Sequence, residues 1–358
     1  MIISNEPWGR QWFSKHHYAN ELSKLGHKVF YLNPPQSWNP SNLFHHQVTQ
    51  GKVNDNLSIV TVFNPFPVKH LTKLFSWLND VILFKRLRKK LVLSNDTIFW
   101  QFDFNRYIYR PTKAFVTIYH VADPYMHAWS DLTLARRARL VVCTSPKYVE
   151  YYAKHITQRK VTYVPHGISD DEFVLSGQEI ERIKKTYGYF FLLVGSLNDD
   201  VDYHLMEQIA SKVKLLVLGP EKINQPINQE KWDKLKSNNN IEYLGIIPAA
   251  ELKHYIYCSE CCLLLYKFTL KKALGSGSPL KVMNYFAQFK PVITSIDPET
   301  PKLEGRAIYW AKGEGDYLKL LDQSKSNLLK VDTEAIKAYL DEHKYPILIN
   351  RILAKIDG

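Results

Sequence analysis

The segment from Gly277 to Thr294 has the sequence Gly-Ser-Pro-Leu-Lys-Val-Met-Asn-Tyr-Phe-Ala-Gln-Phe-Lys-Pro-Val-Ile-Thr. Ser278 is a good helix N-cap, and Pro279 fits the first helical position, where its missing N–H group costs nothing. Apolar residues then recur at helical spacing, namely Leu280, Met283, Phe286 and Ala287. Pro291 ends the helix and begins a short β-branched strand. The segment therefore predicts a helix with one buried face that leads into a strand.

A run of small residues, Gly-Ser-Gly-Ser at positions 275–278, comes directly before this helix. The run leaves backbone N–H groups free at the positive end of the helix, where anions bind readily. Two interpretations stay open on spacing alone. The segment is either an ordinary capped helix or a seat for a phosphate group.

The segment resembles the donor-site signature of GT-B glycosyltransferases through two runs, Ser-Pro-Leu-Lys-Val-Met-Asn-Tyr-Phe-Ala and Lys-Pro-Val. In that family a loop and a helix amino end hold the diphosphate of a nucleotide sugar. The resemblance implies that the diphosphate is held by Gly277, Ser278, Pro279, Leu280 and Lys281. Asn284 stands where the family usually has a Glu that binds the ribose hydroxyls, so we expect a weaker hold on the ribose. Phe289 stands where the family usually has Gly; a left-handed conformation there would cost about 1 kcal/mol.

Length and composition bound the class of protein. A chain of 358 residues with 45% hydrophobic residues favours two folded domains. No apolar run approaches the ~18 residues of a membrane span, and the first residues lack a signal-peptide pattern. Of the four cysteines, three lie at Cys258, Cys261 and Cys262. One interpretation of these three cysteines is half of a zinc site. The apolar residues that follow them favour a buried strand instead, and four cysteines are too few for a disulfide framework, which indicates a reducing cytoplasm.

The positive charge is concentrated in the first half of the chain. Residues 1–180 hold 22 Lys and Arg against 13 Asp and Glu, or +9, and the remainder holds 25 against 22, or +3, which together give the net +12. This excess suggests an anionic partner for the first half. It is modest and diffuse, without a compact basic and aromatic motif, so we expect no nucleic acid partner.

The first strand, helix and second strand follow one another closely. Met1-Ile-Ile-Ser predicts a strand, a helix follows as far as Gly26, and Lys28-Val-Phe-Tyr-Leu predicts the next strand. This order resembles the opening of GT-B enzymes, whose first loop faces the sugar and the acceptor. The resemblance implies that Gly9, His16 and His17 border the acceptor side. The alternative for the two histidines is a packed or solvated side chain.

Polar residues end a later strand at Tyr119-His-Val-Ala-Asp-Pro. Such residues lie at the carboxyl edge of a parallel sheet, where α/β proteins bind ligands. The run resembles the Tyr-Asp-x-x-Asp loop of a group of bacterial polysaccharide glycosyltransferases. Asp123 matches the second acid of that loop and His120 stands at the first. We expect both to be catalytic residues, with Asp123 deprotonating an acceptor hydroxyl or orienting the sugar; the alternative is that Asp123 caps a turn.

A long amphipathic segment runs from His70 to Leu93 and ends in the basic cluster Lys85-Arg-Leu-Arg-Lys-Lys. One interpretation is a surface helix with a solvated cationic end. The other is a helix that docks on an anionic membrane, as in many GT-B enzymes with lipid-linked acceptors. The segment from Gln178 to Gly188 is predicted to be a linker and hinge.

The strand Tyr189-Phe-Phe-Leu-Leu-Val-Gly-Ser begins the second half. Many retaining relatives place Arg and Lys just after this strand to contact phosphate; here Ser196 and Asp199-Asp200 stand there instead. The resemblance implies that Gly195 and Ser196 border the donor. Lys281, Lys267 and either Lys271 or Lys272 are candidates to replace the lost cations, and the alternative for each is a surface lysine.

We therefore predict a GT-B fold of two Rossmann-like, doubly wound α/β domains that face across a cleft. The expected acceptor-side domain is 1–180, the nucleotide-sugar domain 181–340, and 341–358 a helix that packs back on the first. The resemblance implies transfer of a hexose-type sugar from UDP or GDP to a saccharide or lipid-linked acceptor in cell-surface polysaccharide synthesis, without a metal or other cofactor. We expect a cytoplasmic protein with possible peripheral membrane contact. The alternatives are a GT-B-type nucleotide-sugar epimerase and a non-catalytic nucleotide or sugar binder.

Overall fold

The computed structural model describes residues 1–36, 48–67, 72–108, 115–123, 125–126, 128–268 and 280–357. Contacts divide the chain into two compact units. Unit 1 comprises Met1–Pro165 and Tyr345–Gly358, and unit 2 comprises His166–Lys344. The sequence predicts the domain boundary at residue 180, whereas residues 166–180 are part of unit 2 in the structure. Each unit is an α/β structure with one sheet.

Unit 1 contains an eight-stranded sheet with the strand order β3-β4-β2-β1-β5-β6-β7-β8. The strands are β1 Ile2–Ile3, β2 Val29–Leu32, β3 Thr49–Lys52, β4 Leu57–Thr61, β5 Phe99–Gln101, β6 Thr117–Val121, β7 Leu140–Cys143 and β8 Val161–Tyr163. All neighbours pair in parallel except β3 with β4. The order reverses at β1, so the topological switch point lies between β1 and β5.

The helices of unit 1, numbered along the whole chain, are α1 Ser14–Lys24, α2 Thr72–Lys90, α3 Asp131–Arg137, α4 Pro146–His155 and α12 Tyr345–Asp357. Both faces of the sheet are covered, since Ile2 and Ile3 of one strand belong to two different apolar clusters. The C-terminal helix α12 belongs to this unit, and its Tyr345 ring stacks on His17 of α1. Helix and strand periodicities thus produce the layered packing that the sequence predicts.

Unit 2 contains a six-stranded parallel sheet with the order β11-β10-β9-β12-β13-β14. Its strands are β9 Phe191–Val194, β10 Leu215–Leu218, β11 Ile241–Gly245, β12 Cys262–Leu264, β13 Val292–Thr294 and β14 Ile308–Trp310. Its helices are α5 Gly177–Tyr187, α6 Tyr203–Ala210, α7 Pro226–Lys236, α8 Ala249–Cys258, α9 Leu280–Ala287, α10 Glu314–Lys325 and α11 Thr333–Glu342. The switch point here lies between β9 and β12.

The predicted linker at 178–188 is wrong. Residues Gly177–Tyr187 form helix α5, which Ser176 caps by accepting the Glu179 N–H and which Gly188 ends with φ 66°. Ile183 is the one fully buried side chain of this helix, and five of its 11 residues are charged, namely Glu179, Glu181, Arg182, Lys184 and Lys185. That composition is typical of a surface helix as well as of a linker, which explains the error.

The helix-to-strand segment predicted at the start of the sequence analysis is present as α9 and β13. Phe289, just after α9, has φ 50° and is therefore in the left-handed region. The Lys290 N–H donates to the Tyr285 carbonyl across this turn. Phe289 thus occupies a position that favours glycine, and its ring packs against the unit 2 core.

Candidate functional site

The carboxyl edge of the unit 2 sheet is formed by glycines. Gly195 follows β9, Gly219 follows β10 and Gly245 ends β11, with φ values of 144°, 138° and 65°. A Cβ atom on Gly219 would lie 2.0 Å from the Gly195 carbonyl oxygen, so no other residue fits there without a backbone shift. The sequence analysis included Gly195 but missed Gly219 and Gly245. Gly219 thus lets the backbone after β10 pass close to the backbone after β9.

Lys281, in the first turn of α9, reaches this edge. Its Nζ atom donates to the Val194 carbonyl at 2.8 Å and lies 5.2 Å from the centroid of the Tyr266 ring. A Cβ atom on Gly195 would lie 2.6 Å from the same Nζ atom, so the bare glycine makes room for the ammonium group. Within the described parts of the chain no carboxylate forms an ion pair with Lys281. The Lys281 ammonium thus lies at the switch point of the sheet without an acidic partner among the described residues.

The polar face of α9 continues one turn further. Asn284 is three residues after Lys281, and residues with this spacing are neighbours on a helix. Five residues of the helix are buried, namely Val282, Met283, Tyr285, Phe286 and Ala287, whereas Lys281 and Asn284 are half-buried. Neither the Asn284 amide nor the half-buried Ser196 hydroxyl forms a hydrogen bond with the residues that the structure describes. These groups are available to a ligand beside the Lys281 ammonium.

Part of the predicted donor segment lies outside the described residues, namely Gly277, Ser278, Pro279, Lys271 and Lys272. The predicted phosphate seat at 275–278 therefore stays a prediction. Leu280 is the first residue of α9 that the structure describes and is half-buried.

Lys267 has a structural partner of its own. Its Nζ atom donates to the Asp199 carbonyl at 2.8 Å, and the Asp199 carboxylate accepts the backbone N–H groups of Asn224 and Gln225 just before α7. A hydrogen bond from the Asn228 side chain is the largest factor that lowers the pKa of Asp199. Asp199 thus anchors the turn that leads into α7, and Lys267 braces the same loop. The Asp199 carboxylate therefore has a structural role in this loop, and the Lys267 ammonium is held by the same loop.

In unit 1, His16 is a structural residue. Its ring is fully buried, Nδ1 accepts the Phe13 N–H at 3.0 Å, and Nε2 lies 3.0 Å from the Pro7 carbonyl and 2.9 Å from the Tyr31 hydroxyl. Burial lowers the pKa of His16 to about 4, so the ring is neutral at pH 7. The predicted role of His16 beside an acceptor is not supported, because both ring nitrogens hold the start of α1 in place.

His17 and His120 are also packed. His17 is 6% exposed, with its ring stacked on Tyr345. His120 lies within β6 and is 1% exposed; its Nδ1 atom accepts the Trp100 indole N–H at 3.1 Å, and its ring stacks on Phe102. The expectation that His120 acts on an acceptor is corrected by this burial. Both histidines belong to the aromatic core of unit 1.

Gly9 lies in an exposed loop. A Cβ atom on Gly9 would come no nearer than 4.0 Å to any neighbouring atom, in this case the Pro7 oxygen. The position therefore has no steric requirement for glycine, unlike Gly219.

Asp123 is exposed, and it ends a directed chain of hydrogen bonds at the carboxyl edge of unit 1. Lys15 Nζ donates to Asn5 Oδ1 at 2.5 Å, and Asn5 Nδ2 donates to the Tyr125 hydroxyl at 3.0 Å. The Tyr125 hydroxyl in turn donates to Asp123 Oδ2 at 3.2 Å. Asp123 Oδ1 forms no hydrogen bond with the residues that the structure describes. One carboxylate oxygen is thus anchored and the other is available to a ligand.

The first members of this hydrogen-bond chain, Lys15 and Asn5, were not predicted from the sequence. Lys15 is 4% exposed although it is a lysine, and Asn5 and Tyr125 are separated by 120 residues. Burial raises the pKa of the Tyr125 hydroxyl, and the Asp123 charge adds to that effect, so the hydroxyl keeps its proton and donates it. The only signal in the sequence for this hydrogen-bond chain is a pair of polar residues after each of two predicted strands.

Comparison with known proteins adds the following. No protein-family model matches the sequence. TuaH of Bacillus subtilis strain 168, described as a teichuronic acid biosynthesis glycosyltransferase, is 23% identical over 195 residues, which are 52% of this chain and 48% of that protein. The match therefore spans about half the length of this curated relative.

Solved structures match nearly the whole chain. HepE of Anabaena, solved with UDP and glucose, is 11% identical and covers 100% of this chain and 99% of its own, with a TM-score of 0.67. Sucrose-phosphate synthase of Thermosynechococcus elongatus is 10% identical over 98% and 96%, with a TM-score of 0.70. WaaG, a glycosyltransferase involved in lipopolysaccharide biosynthesis, is 13% identical over 100% and 99%, with a TM-score of 0.67. The chain has the GT-B fold that these structures share.

Proposed function

We propose that this protein is a glycosyltransferase that moves a hexose-type sugar from a nucleoside diphosphate sugar to a saccharide or lipid-linked acceptor in cell-surface polysaccharide synthesis. The observation that carries the proposal is the Lys281 ammonium, which has no acidic partner among the described residues and lies against Gly195 at the switch point of unit 2. The likeness to HepE, which was solved with UDP and glucose, and to the teichuronic acid biosynthesis glycosyltransferase TuaH supports the same chemistry.

In this proposal the donor is bound by unit 2. The Lys281 ammonium neutralises part of the diphosphate charge, including the negative charge that develops as the sugar leaves. The glycine edge lets the diphosphate approach the backbone, and Asn284 bonds the ribose hydroxyls from the same helix face. Since an amide gives no charge assistance, the ribose contributes less affinity than it would opposite a carboxylate.

The acceptor is bound by unit 1 through Asp123. The acceptor hydroxyl donates a hydrogen bond to the available Oδ1 atom, while Tyr125 fixes Oδ2. As the hydroxyl oxygen bonds to the anomeric carbon, its proton passes to the carboxylate and the nucleoside diphosphate leaves with the electron pair of the broken bond.

Helix α2 is the proposed contact with an anionic membrane. Among the described helices, none is long and apolar enough to cross a bilayer. On α2, Leu74 and Trp77 are 63% and 41% exposed, and the last turn carries Arg88, Lys89 and Lys90. Apolar side chains at one end of a helix and cations at the other fit binding in the plane of an anionic lipid surface. This contact would place the protein at the inner face of the membrane.

Titration calorimetry with UDP, GDP, ADP and TDP, and then with their sugars, tests the donor site. We expect one nucleotide to bind, and Lys281→Ala to abolish measurable binding, because this ammonium lies against Gly195 at the switch point and forms no ion pair with the described residues. The matched control is Lys267→Ala, which removes a lysine whose ammonium braces the Asp199 loop. The control should leave nucleotide affinity within about twofold.

Three outcomes separate the functions. Absence of binding for all four nucleotides would refute the donor site. Equal losses of nucleotide affinity in the Lys281 and Lys267 variants would show that Lys281 is not part of that site. Turnover of a nucleotide sugar in the absence of any acceptor, with the nucleotide still attached to the product, would identify an epimerase instead.

A further inference from the structure

A second charged region of unit 1 lies away from the residues discussed so far. Residues 131–160 contain seven Lys and Arg, at positions 136, 137, 139, 147, 154, 159 and 160, against the two acids Asp131 and Glu150, a surplus of +5. Asp131 is fully buried and accepts hydrogen bonds from Tyr119 and Tyr152 through Oδ1. The surface of this segment is therefore strongly positive.

Three of these seven cations line a cavity of about 450 Å³, here called the basic cavity. It is lined by Arg136, Lys154, His155, Ile156, Thr157 and Lys160, and thus by no acidic side chain. Arg136 comes from the last turn of α3, Lys154 and His155 from the last turn of α4, and Lys160 from the turn before β8. The Lys160 ammonium donates to the Arg136 carbonyl at 3.5 Å, and this hydrogen bond links the turn before β8 to α3.

The side chains that line the basic cavity include no acid, so its cations are offset only in part, by the partial negative charges at the C-terminal ends of α3 and α4. Within the described residues, none of its four basic side chains forms an ion pair, although ion pairs are common elsewhere on this surface. Like charges that line one concave surface repel each other and focus a positive potential into it. A bound anion would relieve that repulsion.

The basic cavity is separate from the proposed acceptor site. Helix α4 begins just after the carboxyl end of β7 and runs for 10 residues, about 15 Å, before it ends at the cavity. Asp123 follows β6 at the carboxyl edge of the same sheet, whereas Lys160 directly precedes the amino end of β8. The two sites thus lie at opposite edges of unit 1, and a ligand in the cavity does not take part in the reaction.

We propose that the basic cavity binds the phosphate group of an organic phosphate. A phosphate oxygen pair matches the two parallel N–H groups of the Arg136 guanidinium, and the two lysines add point charges. The volume is typical of small-molecule sites and exceeds what an inorganic anion fills, so there is room for the group that the phosphate carries. That group is either a soluble sugar or glycerol, or the headgroup of a phospholipid.

The test compares two double variants of the full chain that lose the same charge. Arg136→Gln with Lys160→Gln removes two cations from the basic cavity. Lys147→Gln with Arg159→Gln removes two cations from the same segment that do not line the cavity. Affinity is measured for glycerol phosphate by calorimetry, and for vesicles of phosphatidylcholine with and without phosphatidylglycerol by sedimentation. UDP binding, measured in parallel, should be unchanged in both variants.

We expect the cavity variant to lose affinity by about tenfold or more and the control variant by less than about twofold. A selective loss with glycerol phosphate assigns the site to a soluble phosphate, and a selective loss with anionic vesicles alone assigns it to a lipid headgroup. Equal losses in the two variants would show that net charge alone attracts the anion, and absence of binding in both assays would likewise overturn the proposal. Circular dichroism spectra that match wild type confirm that the variants are folded.

Discussion

The two sheets of this protein have similar topologies, but their carboxyl edges are built in opposite ways. In unit 2, glycines follow β9 and β10 and end β11, and the Lys281 ammonium lies against Gly195 at the switch point. In unit 1 the corresponding edge is filled. Arg106 bonds Asp103 at 2.8 Å and the Ser4 carbonyl at 2.6 Å, and the neighbouring histidines are packed among aromatic rings.

The difference indicates a division of roles. A bare edge lets the backbone and one cation approach a highly charged ligand such as a diphosphate. A filled edge immobilises its loops and leaves a single carboxylate, Asp123, exposed on a fixed support. The same parallel architecture can thus serve either close binding or precise positioning, depending on which side chains follow the strands.

The largest expected effect tests whether the unit 2 edge must be bare. Gly219→Ala places a Cβ atom 2.0 Å from the Gly195 carbonyl oxygen and adds strain at a φ of 138°. We expect a loss of about 3 kcal/mol or more in unfolding free energy, measured by urea titration. The matched control in unit 1 is Gly9→Ala, which meets no atom within 4.0 Å and should cost less than about 0.5 kcal/mol. Similar stabilities for the two variants would show that the glycine edge is not sterically required.

The next prediction concerns the buried titratable groups near the carboxyl edge of the unit 1 sheet. Asp80 of α2 is 3% exposed, and its Oδ2 atom has no hydrogen-bond partner in the described structure. Burial raises the pKa of Asp80 to about 7, although Arg106 and the backbone N–H groups of Tyr107 and Ile108 oppose that effect; Asp103 adds to it. The fold therefore favours the neutral carboxyl group, whereas the unfolded chain ionises near pH 4.

A raised pKa gives stability that is fully present below the unfolded value and is lost as pH rises toward 7. Asp80→Asn stays neutral, so we expect it to be more stable than wild type by about 1–2 kcal/mol at pH 8, with the advantage shrinking as pH falls toward 4. Thermal unfolding at several pH values measures this. The control is Asp55→Asn at an exposed site, where a hydrogen bond from Lys52 lowers the pKa and no gain at pH 8 is expected. A pH-independent difference at Asp80 would contradict the argument.

The contrast between the edges also shows what the sequence could reveal. The α9 face with Lys281 and Asn284 was predictable, because helical spacing and a resemblance both act over a few consecutive residues. The filling of the unit 1 edge was not. His16 and His120 have polar side chains, and only distant partners such as Tyr31 and Trp100 determine that they are buried. Local patterns indicate which face of an element is apolar, but not which polar groups satisfy one another across the fold.

The smallest expected effect concerns the support of Asp123 and depends on the proposed function. Tyr125→Phe removes the hydroxyl that fixes Oδ2 and that relays the polarising effect of Lys15 through Asn5. One hydrogen bond to a charged group contributes about 1.5–3 kcal/mol, and because Asp123 is exposed we expect the low end of that range, a fall in kcat of about tenfold. The KM for the donor should be unchanged, because the donor site is formed by unit 2 residues. The kinetics are measured with saturating acceptor.

The matched control is Tyr151→Phe, since the Tyr151 hydroxyl forms no hydrogen bond with any residue that the structure describes. This variant should keep the wild-type kcat. If Tyr125→Phe lowers only stability and not kcat, the hydrogen-bond chain is structural and Asp123 needs no anchor. If kcat falls while Asp123→Asn retains activity, the chain acts on some other group, and the assignment of Asp123 as the proton acceptor fails. A lower kcat in both the Tyr125 and the Asp123 variant, without a change in the KM for the donor, would show that the filled edge of unit 1 acts in acceptor chemistry. Donor binding would then be assigned to the glycine edge of unit 2.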